Sequence, residues 1–302
     1  MIAATEAPQI VYRNAKGLPP TICIQLLKWC NLKCQNCRSD STPFDKENLS
    51  FEQISPVLIG LGKYGKWRIS LTGGEPLFWA ELPRMLALID ELDFPFSVTT
   101  NGFSSQGPFN KIPSQLWRNG TLYVSLDGNE PIHDHLRGSK SFENAIEFLM
   151  YARQHVSKLY VNTVLFTDPV LWAEELYSVI NNIGVNNWTI ISPVSVGRWS
   201  FGNGKATDVD IYNLWYKQIQ ETVINVKGST TTSFLDFAHT EGVQDDVVFI
   251  DANGNVALPR FYKTEVDSNI PAVQKLSIND KLLVEKIYSS VNNFIESQNY
   301  IR

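Results

Sequence analysis

Three closely spaced cysteines are the residues of this sequence best suited to chemistry. Cys30, Cys34 and Cys37 form the pattern Cys-x3-Cys-x2-Cys, and the only other cysteine, Cys23, precedes them by seven residues. Disulfides usually join distant parts of a chain, so this tight group favours a metal or redox centre. Three thiolates on one loop can hold three corners of a cubane iron–sulfur cluster. The alternative is a structural zinc site, which requires a fourth ligand such as Cys23.

A glycine-rich turn provides a second group of candidate residues. The string Thr72-Gly73-Gly74-Glu75-Pro76 follows a short apolar run that predicts a buried strand. Two adjacent glycines let the backbone approach a ligand closely, and the Glu75 carboxylate is an acceptor suited to a ligand ammonium group. The alternative is an ordinary strand-to-helix turn. The cysteine loop and this turn follow consecutive predicted strands, so the two signals support each other.

Alternating strands and helices have to position these residues. Apolar runs predict six strands, and capping signals such as Ser50 with Gln53 and Asp168 with Pro169 predict helices between them. Six strand–helix units in series imply parallel strands with right-handed crossovers, hence an α/β fold, a partial (β/α)6 TIM-like barrel. The active sites of such barrels form at the C-terminal ends of the strands. The predicted strands are Thr21–Leu27, Trp67–Leu71, Phe96–Thr99, Thr121–Leu126, Lys158–Phe166 and Asn187–Ser192.

The alternation of strands and helices stops after Val194, where an α+β C-terminal extension is predicted. We therefore expect an N-terminal segment (1–17), a barrel (18–200) and an extension (201–302) packed on it. The features predicted in the extension are a helix at 209–226, a Ser/Thr run at 228–233, a hairpin around 251–254 and a helix at 278–298.

The composition is that of an ordinary globular protein. The 302 residues are 43% hydrophobic and 19% charged, and 26 basic against 31 acidic residues give a net charge of −5. This balance offers no electrostatic reason to expect a nucleic acid or an anionic membrane as partner. No apolar run approaches the roughly 20 residues needed to span a bilayer, and the N-terminus lacks a signal peptide pattern. A cytoplasmic location is therefore expected.

The cysteine pattern and the Gly-Gly-Glu-Pro turn together resemble the radical S-adenosylmethionine (radical SAM) superfamily over roughly residues 22–198. The resemblance implies one [4Fe–4S] cluster, held by the three motif cysteines, with the amino and carboxylate groups of SAM chelating its unique iron. It implies that one electron cleaves SAM to methionine and a 5′-deoxyadenosyl radical, which abstracts hydrogen from a substrate. An external reductant of the flavodoxin or ferredoxin type would supply that electron. The residues implied to line the methionine amino group are Gly73, Gly74 and Glu75.

Two further strings resemble the branch of anaerobic sulfatase maturases and peptide-modifying enzymes: Val124–Gly128 and His133–Gly138. In that branch Ser125 would reach the ribose or methionine end of SAM, and Arg137 would meet its carboxylate, which suits a guanidinium fork. The His-x-His pair is compatible with zinc, but the resemblance already accounts for its string. Further candidate SAM contacts, with turn or core roles as the alternative, are Thr100, Asn101, Asp127, Asn162 and Ile191.

The sequence departs from the family pattern at two places. The residue before the third motif cysteine, usually an aromatic that contacts the adenine side, is Asn36, so the adenine must pack elsewhere, for example on Trp29. The stretch 248–259 resembles the hairpin that opens a SPASM or twitch extension, yet Leu258-Pro259-Arg260 stands where relatives have a cluster cysteine. An extension without an auxiliary cluster is therefore expected. No cysteine follows Cys37, so a thiol hydrogen donor is missing unless Cys23 serves; the alternative for Cys23 is a buried small hydrophobe.

The leading functional hypothesis is a radical SAM enzyme that acts on a ribosomally made precursor peptide. The alternatives are a radical SAM enzyme for a small metabolite (a sugar, nucleoside or amino acid) and a non-catalytic metal-binding protein. Aromatic and cationic residues of the extension suit an extended peptide or a polar ring, although such aromatics also pack extensions onto barrels. The candidate substrate residues are Arg198, Trp199, Arg260 and Tyr262.

Overall fold

Ten strands form one sheet in the computed structural model, which describes residues 19–193, 197–198, 209–226, 229–235, 247–258 and 276–299. The strands are β1 (Thr21–Gln25), β2 (Arg68–Thr72), β3 (Phe96–Thr100), β4 (Gly120–Ser125), β5 (Leu159–Val164), β6 (Asn187–Ile191), β7 (Thr231–Leu235), β8 (Val247–Ile250), β9 (Asn255–Ala257) and β10 (Leu276–Ser277). Their order in the sheet is β10-β9-β8-β1-β2-β3-β4-β5-β6-β7. All neighbours from β8 to β7 in that order are parallel, and only β8–β9 and β9–β10 are antiparallel.

Helices follow most of the parallel strands. They are α1 (Phe51–Gly62), α2 (Leu82–Glu91), α3 (Gln106–Phe109), α4 (Glu130–Arg137), α5 (Ser141–Ala152), α6 (Ala173–Ile183), α7 (Val209–Val226) and α8 (Leu283–Asn299). The capping box predicted at Ser50 and Gln53 is present at the start of α1. Among the helices of the described ranges, none combines the length and the apolar character that a membrane crossing requires.

The predicted fold class is confirmed. β1 to β6 follow one another in the sheet as six parallel neighbours, and the sheet ends at β10 and β7, so the barrel is open. The first strand is shorter than predicted, because Leu27 leaves the sheet and forms an isolated bridge with Asn48 across the cysteine loop. The parallel arrangement brings the C-terminal ends of six strands to one edge, where the candidate residues lie.

The structure differs from the sequence expectations at two elements. The Ser/Thr run at 228–233 leads into β7, which pairs in parallel with β6 and extends the sheet by one strand. Threonine is β-branched and therefore fits a pleated sheet. The polar composition of the run does not by itself indicate a strand. The segment Glu130–Arg137 was not predicted as a helix, since only Ile132 and Leu136 in it are apolar; Pro131 in its first turn favours the helix.

The two faces of the sheet have different chemistry. On β1 and β4 the side chains of Ile22, Ile24, Leu122 and Val124 are fully buried in the main hydrophobic core. Alternation along a strand places Cys23 and Ser125 on the opposite, inner face. Cys23 is half-buried there, and burial raises the pKa of its thiol. The inner face thus offers polar side chains to the open side of the barrel.

The C-terminal extension adds to the same sheet and packs on the same helices. β8 pairs with β1, and the antiparallel β8–β9 hairpin predicted around Asp251–Gly254 is confirmed. Helix α8 packs against α1, where the rings of Tyr64 and Tyr288 lie 4.2 Å apart between centroids. The described part of the extension is therefore continuous with the barrel, and the boundary at residue 200 stays a prediction.

Candidate functional site

The three motif cysteines lie together on the loop that follows β1. Cys30 and Cys34 are buried, Cys37 is half-buried, and all three are free thiols packed with Leu32 and Phe103. The loop is closed at its base, since the Cys30 amide donates to the carbonyl of Thr42 at 3.1 Å. One short segment thus presents three sulfur donors beside each other.

Amide groups already point at two of these sulfur atoms. The backbone N–H of Leu32 lies 3.4 Å from Cys30 Sγ, and that of Ser41 lies 3.4 Å from Cys37 Sγ. The side-chain amide of Asn101, at the end of β3, donates to Cys30 Sγ at 3.5 Å. Hydrogen bonds of this kind stabilise a thiolate and are a usual surrounding of cluster ligands.

Burial favours the protonated form of the Cys30 and Cys34 thiols in the absence of a positive ligand. It raises the pKa of Cys30 to about 12, and the Leu32 hydrogen bond only partly offsets this. Burial also raises the pKa of Cys34, and the positive charges of Arg137 and Arg198 act against that rise. A metal centre supplies the charge that displaces such protons.

The donor set fits an iron–sulfur cluster. Three free cysteines on one loop, with N–H groups directed at two of the sulfurs, are the ligands that a cluster with one open iron requires. Within the ranges that the structure describes, no three His, Cys, Asp or Glu side chains, the three cysteines included, are placed so that they could hold a metal ion, so the fit rests on the chemistry of the donors and not on their present geometry.

The glycine turn after β2 packs directly on the segment that enters the cysteine loop. The amide of Gly74 donates to the carbonyl of Leu27 at 2.7 Å, and the amide of Glu75 donates to that of Trp29 at 3.0 Å. A Cβ atom on Gly74 would stand 1.9 Å from the Trp29 oxygen, and one on Gly73 would stand 2.7 Å from the Leu27 oxygen. The sequence predicted close approach by a ligand; the structure shows that the chain's own backbone makes the approach.

Glu75 is a buried carboxylate that forms no ion pair with the residues that the structure describes. Its Oε1 accepts from the Thr100 hydroxyl at 2.6 Å and from the Leu77 amide, and its Oε2 accepts from the Asn101 amide at 2.8 Å. Burial, only partly offset by these bonds, raises the pKa of Glu75 to about 7. No Lys, Arg or His of the described segments forms an ion pair with it. The predicted contact with a ligand ammonium stays a prediction that this environment suits.

Thr100 and Asn101 face protein groups. The Thr100 hydroxyl donates to Glu75, and the Asn101 amide nitrogen donates to Asn31 at 2.9 Å and to the Cys30 sulfur. Asn101 Oδ1 accepts from the amide of Phe103 at 2.7 Å. The Thr100 side chain and the Asn101 backbone thus bind the glycine turn, and the Asn101 side chain binds the cysteine loop. The predicted contact of both residues with SAM stays a prediction. Sequence analysis missed Asn31, whose only signal was its place beside Cys30.

Asp127 and Arg137 form a buried ion pair beside the cysteine loop. Arg137 Nε lies 2.7 Å from Asp127 Oδ2, and the same oxygen accepts from Asn36 Nδ2 at 3.0 Å. Asp127 Oδ1 accepts from the amide of Val164. Burial would raise the pKa of Asp127, but the Arg137 charge and hydrogen bond lower it overall. Asp127, predicted as a SAM contact, is here the counterion of Arg137, whose two terminal nitrogens make no hydrogen bond within the described ranges.

The two histidines near Arg137 make hydrogen bonds within the protein, His133 through its side chain and His135 through its backbone carbonyl. His133 is fully buried and its Nδ1 accepts the Asp127 amide at 3.0 Å, while burial lowers its pKa to about 4, so it is neutral. Between them, Asp134 caps α5 by accepting from the amides of Lys140 and Phe142. The carbonyl of His135 accepts from the Gln35 side chain at 2.7 Å, which ties the cysteine loop to the end of α4.

The remaining predicted SAM contacts lie at the ends of β4, β5 and β6. Ser125 and Asn162 are register partners on neighbouring strands, and Ile191 ends the next strand. The Oδ1 atom of Asn162 is buried and has no hydrogen-bond partner among the residues that the structure describes. An unpaired polar atom on the inner face is a suitable contact for a ligand hydroxyl or amino group.

The predicted substrate residues divide into two groups. Arg198 donates from all three guanidinium nitrogens to the cysteine loop, so its side chain is engaged by the protein. The other three, which lie outside the described residues, are Trp199, Arg260 and Tyr262.

Comparison with known proteins gives a consistent result. The sequence model of the Radical SAM superfamily matches residues 24–178, which is about half of the chain. The sporulation killing factor maturation protein SkfB of Bacillus subtilis is 27% identical over 229 residues, covering 74% of this chain and 54% of SkfB. An AdoMet-dependent heme synthase of Oleidesulfovibrio alaskensis is 24% identical over 201 residues, covering 62% of this chain and 51% of that protein. The chain thus spans about half the length of these relatives.

The fold also has solved counterparts. Streptococcus suis SuiB bound to S-adenosylmethionine superposes with a TM-score of 0.70 at 16% sequence identity, covering 92% of this chain and 68% of SuiB. SuiB bound to its precursor peptide SuiA gives a TM-score of 0.69. At this identity the likeness shows the fold alone.

We expect Gly74→Ala to disrupt the site, because the added methyl group would meet backbone atoms of Trp29 that cannot rotate away. The unfolding free energy should fall by roughly 1–3 kcal/mol or more, and iron uptake during reconstitution should drop. Gly107→Ala is the matched control, since a Cβ there meets nothing within 4 Å. Urea unfolding and iron content measure both variants, and equal behaviour of the two would contradict the close approach.

Proposed function

The chain belongs to the radical SAM superfamily, and from this premise we propose that it is an enzyme that reductively cleaves S-adenosylmethionine and abstracts hydrogen from a ribosomally made precursor peptide. When bound, one [4Fe–4S] cluster supplies the electron that converts SAM to methionine and a 5′-deoxyadenosyl radical. The electron would come from an external reductant of the flavodoxin or ferredoxin type, in the reducing environment of the cytoplasm.

One observation carries the proposal: two unlike charges flank a loop of three free cysteines. Glu75 reaches Cys30 through Asn101, and Arg137 reaches the segment before Cys37 through Asp127 and Asn36. The methionine end of SAM is a zwitterion, with an ammonium and a carboxylate on one carbon. Within the described ranges, Glu75 is a carboxylate with no ion pair and Arg137 is a guanidinium whose two terminal nitrogens make no hydrogen bond, so the two side chains complement these two groups.

The assignments of individual residues follow from that complementarity. Cys30, Cys34 and Cys37 would ligate the cluster, and Glu75 would accept from the SAM ammonium, whose charge compensates the buried carboxylate. Arg137, held through Nε by Asp127, would present its terminal nitrogens to the SAM carboxylate as a fork. On the inner face, Ser125 and Asn162 would contact the nucleoside part.

The substrate proposal rests on relatives. SkfB is named as a maturation protein, and SuiB has been solved bound to a precursor peptide. A small-molecule substrate is the second candidate, since the match to the AdoMet-dependent heme synthase has similar strength.

Anaerobic reconstitution should load about four irons per chain, because only three cysteines share the loop after β1. Replacing Cys30, Cys34 and Cys37 together by Ala should remove the iron, the brown absorbance and SAM cleavage. Cys23→Ser is the control, since Cys23 lies within β1 and should not affect iron content. About eight irons per chain, or a zinc site that depends on Cys23, would contradict the assignment.

Arg137→Lys should weaken SAM binding about tenfold or more without loss of iron, because an ammonium cannot replace a fork that pairs with two carboxylates. Equilibrium dialysis of SAM against the reconstituted enzyme measures the affinity. Arg118→Lys serves as the control, as its side chain is 65% exposed and pairs with Asp90 on the surface. Unchanged affinity in Arg137→Lys would mean that the SAM carboxylate binds elsewhere.

A peptide substrate should both accelerate SAM cleavage and transfer its hydrogen. We expect short peptides encoded beside the gene, synthesised with deuterium on carbon, to deliver deuterium to 5′-deoxyadenosine, as detected by mass spectrometry. Transfer from a deuterated small metabolite, with none from any peptide, would replace the peptide proposal by the second candidate.

A further inference from the structure

We infer that Arg198 is a positioning residue that clamps the cysteine loop from the β6 side, and that it does not contact substrate. Its Nε donates to the carbonyl of Cys34 at 2.7 Å, its Nη2 to the carbonyl of Ser41 at 2.6 Å, and its Nη1 to the carboxylate of Asp40 at 2.8 Å. One side chain therefore binds three separate points of the loop.

The backbone of Gly197 and Arg198 also packs against the cysteine loop. The amide of Arg198 donates to the carbonyl of Cys37 at 3.0 Å. Gly197 has a φ of +63°, and a Cβ atom there would lie 2.3 Å from the carbonyl oxygens of both Cys37 and Arg38. Only glycine permits this approach, so Gly197 and Arg198 act together as one docking element.

The clamp acts on a segment without regular secondary structure. Residues 31–41 contain no helix or strand, so their carbonyl groups need partners from elsewhere in the chain. The contacts of Arg198 run from Cys34 to Ser41 and thereby enclose the second and third motif cysteines. A guanidinium is the side chain whose planar donors can satisfy several acceptors at fixed angles.

Arg198 also places a positive charge beside the sulfur atoms. Its side chain is 17% exposed, whereas its partner Asp40 is 48% exposed, so water screens the carboxylate more than the guanidinium. A fixed positive charge stabilises added negative charge nearby. If the loop holds a redox group, as the proposed function requires, Arg198 favours its reduced form.

The clamp can be tested on the metal-free chain, independently of the proposed function. Hydrogen exchange measured by mass spectrometry should be about tenfold or more faster over residues 31–41 in Arg198→Met and in Arg198→Lys, because neither replacement can make three bonds. Asp40→Asn, which removes only the ion pair, should give a smaller increase. Arg118→Met, with a single surface ion pair, is the control and should leave this segment unchanged.

Measurements on the reconstituted enzyme distinguish the effect of the Arg198 charge from the effect of its three hydrogen bonds. Arg198→Met should shift the midpoint potential of the iron–sulfur centre to a more negative value, whereas Arg198→Lys should keep the parent potential. Exchange over 31–41 equal to that of the parent in both Arg198 variants and in Asp40→Asn would overturn the clamp. A raised KM for substrate with unchanged exchange and potential would return Arg198 to a substrate role. Failure of the parent protein to load iron, together with faster exchange in the Arg198 variants, would leave the clamp standing and count against the proposed function.

Discussion

A buried carboxylate needs hydrogen-bond donors and a positive charge around it, and Asp127 meets this need by drawing three other segments to one point. Arg137 comes from α4, Asn36 from the cysteine loop and the Val164 amide from the end of β5, while the Asp127 amide donates to His133 of the same helix α4. Removing one partner of such a pair leaves a charge uncompensated in a dry interior, which is far more destabilising than loss of a surface pair. The arrangement of the site around Arg137 therefore depends on this carboxylate.

Glu75 is the second buried carboxylate of the site, and its charge is not compensated by an ion pair. It too is fully buried and accepts three hydrogen bonds, but no cation within the described ranges forms an ion pair with it. These bonds and the charge of Arg137 only partly offset burial, so the pKa of Glu75 is raised to about 7 while that of Asp127 is lowered. A structural carboxylate would be expected to have its counterion in the fold, as Asp127 has. Because Glu75 forms no ion pair, a cationic ligand group can pair with it, whereas Asp127 is already paired with Arg137. The two predicted acidic contacts thus differ in kind, although no pattern in the sequence distinguishes them.

The sequence predicted what depends on local pattern and missed what depends on tertiary partners. Six strands, the capping box of α1 and the hairpin near Gly254 follow from periodicity and turn chemistry, and all are present. The roles of Thr100, Asn101 and Arg198 could not be read from spacing, because their partners lie tens of residues or more away along the chain. The glycine turn was predicted to approach a ligand, yet what it approaches first is the Leu27–Trp29 backbone. Spacing identifies which residues meet at one end of a barrel, but only packing decides which of them face each other.

The cysteine loop is ordered by groups that belong to other elements. Asn101 binds it from the end of β3, the backbone carbonyl of His135 from α4, and Arg198 from the segment beyond β6. Parallel topology makes this possible, because it brings residues beyond every strand's C-terminal end to the same edge. A loop ordered beforehand loses less conformational entropy when its thiols take up a ligand, so more of the interaction energy appears as affinity. The raised pKa of Cys30 opposes binding, since a proton has to leave before sulfur can ligate. Preorganisation and thiol burial together therefore favour a highly charged ligand that displaces the protons, and they disfavour weakly bound ions.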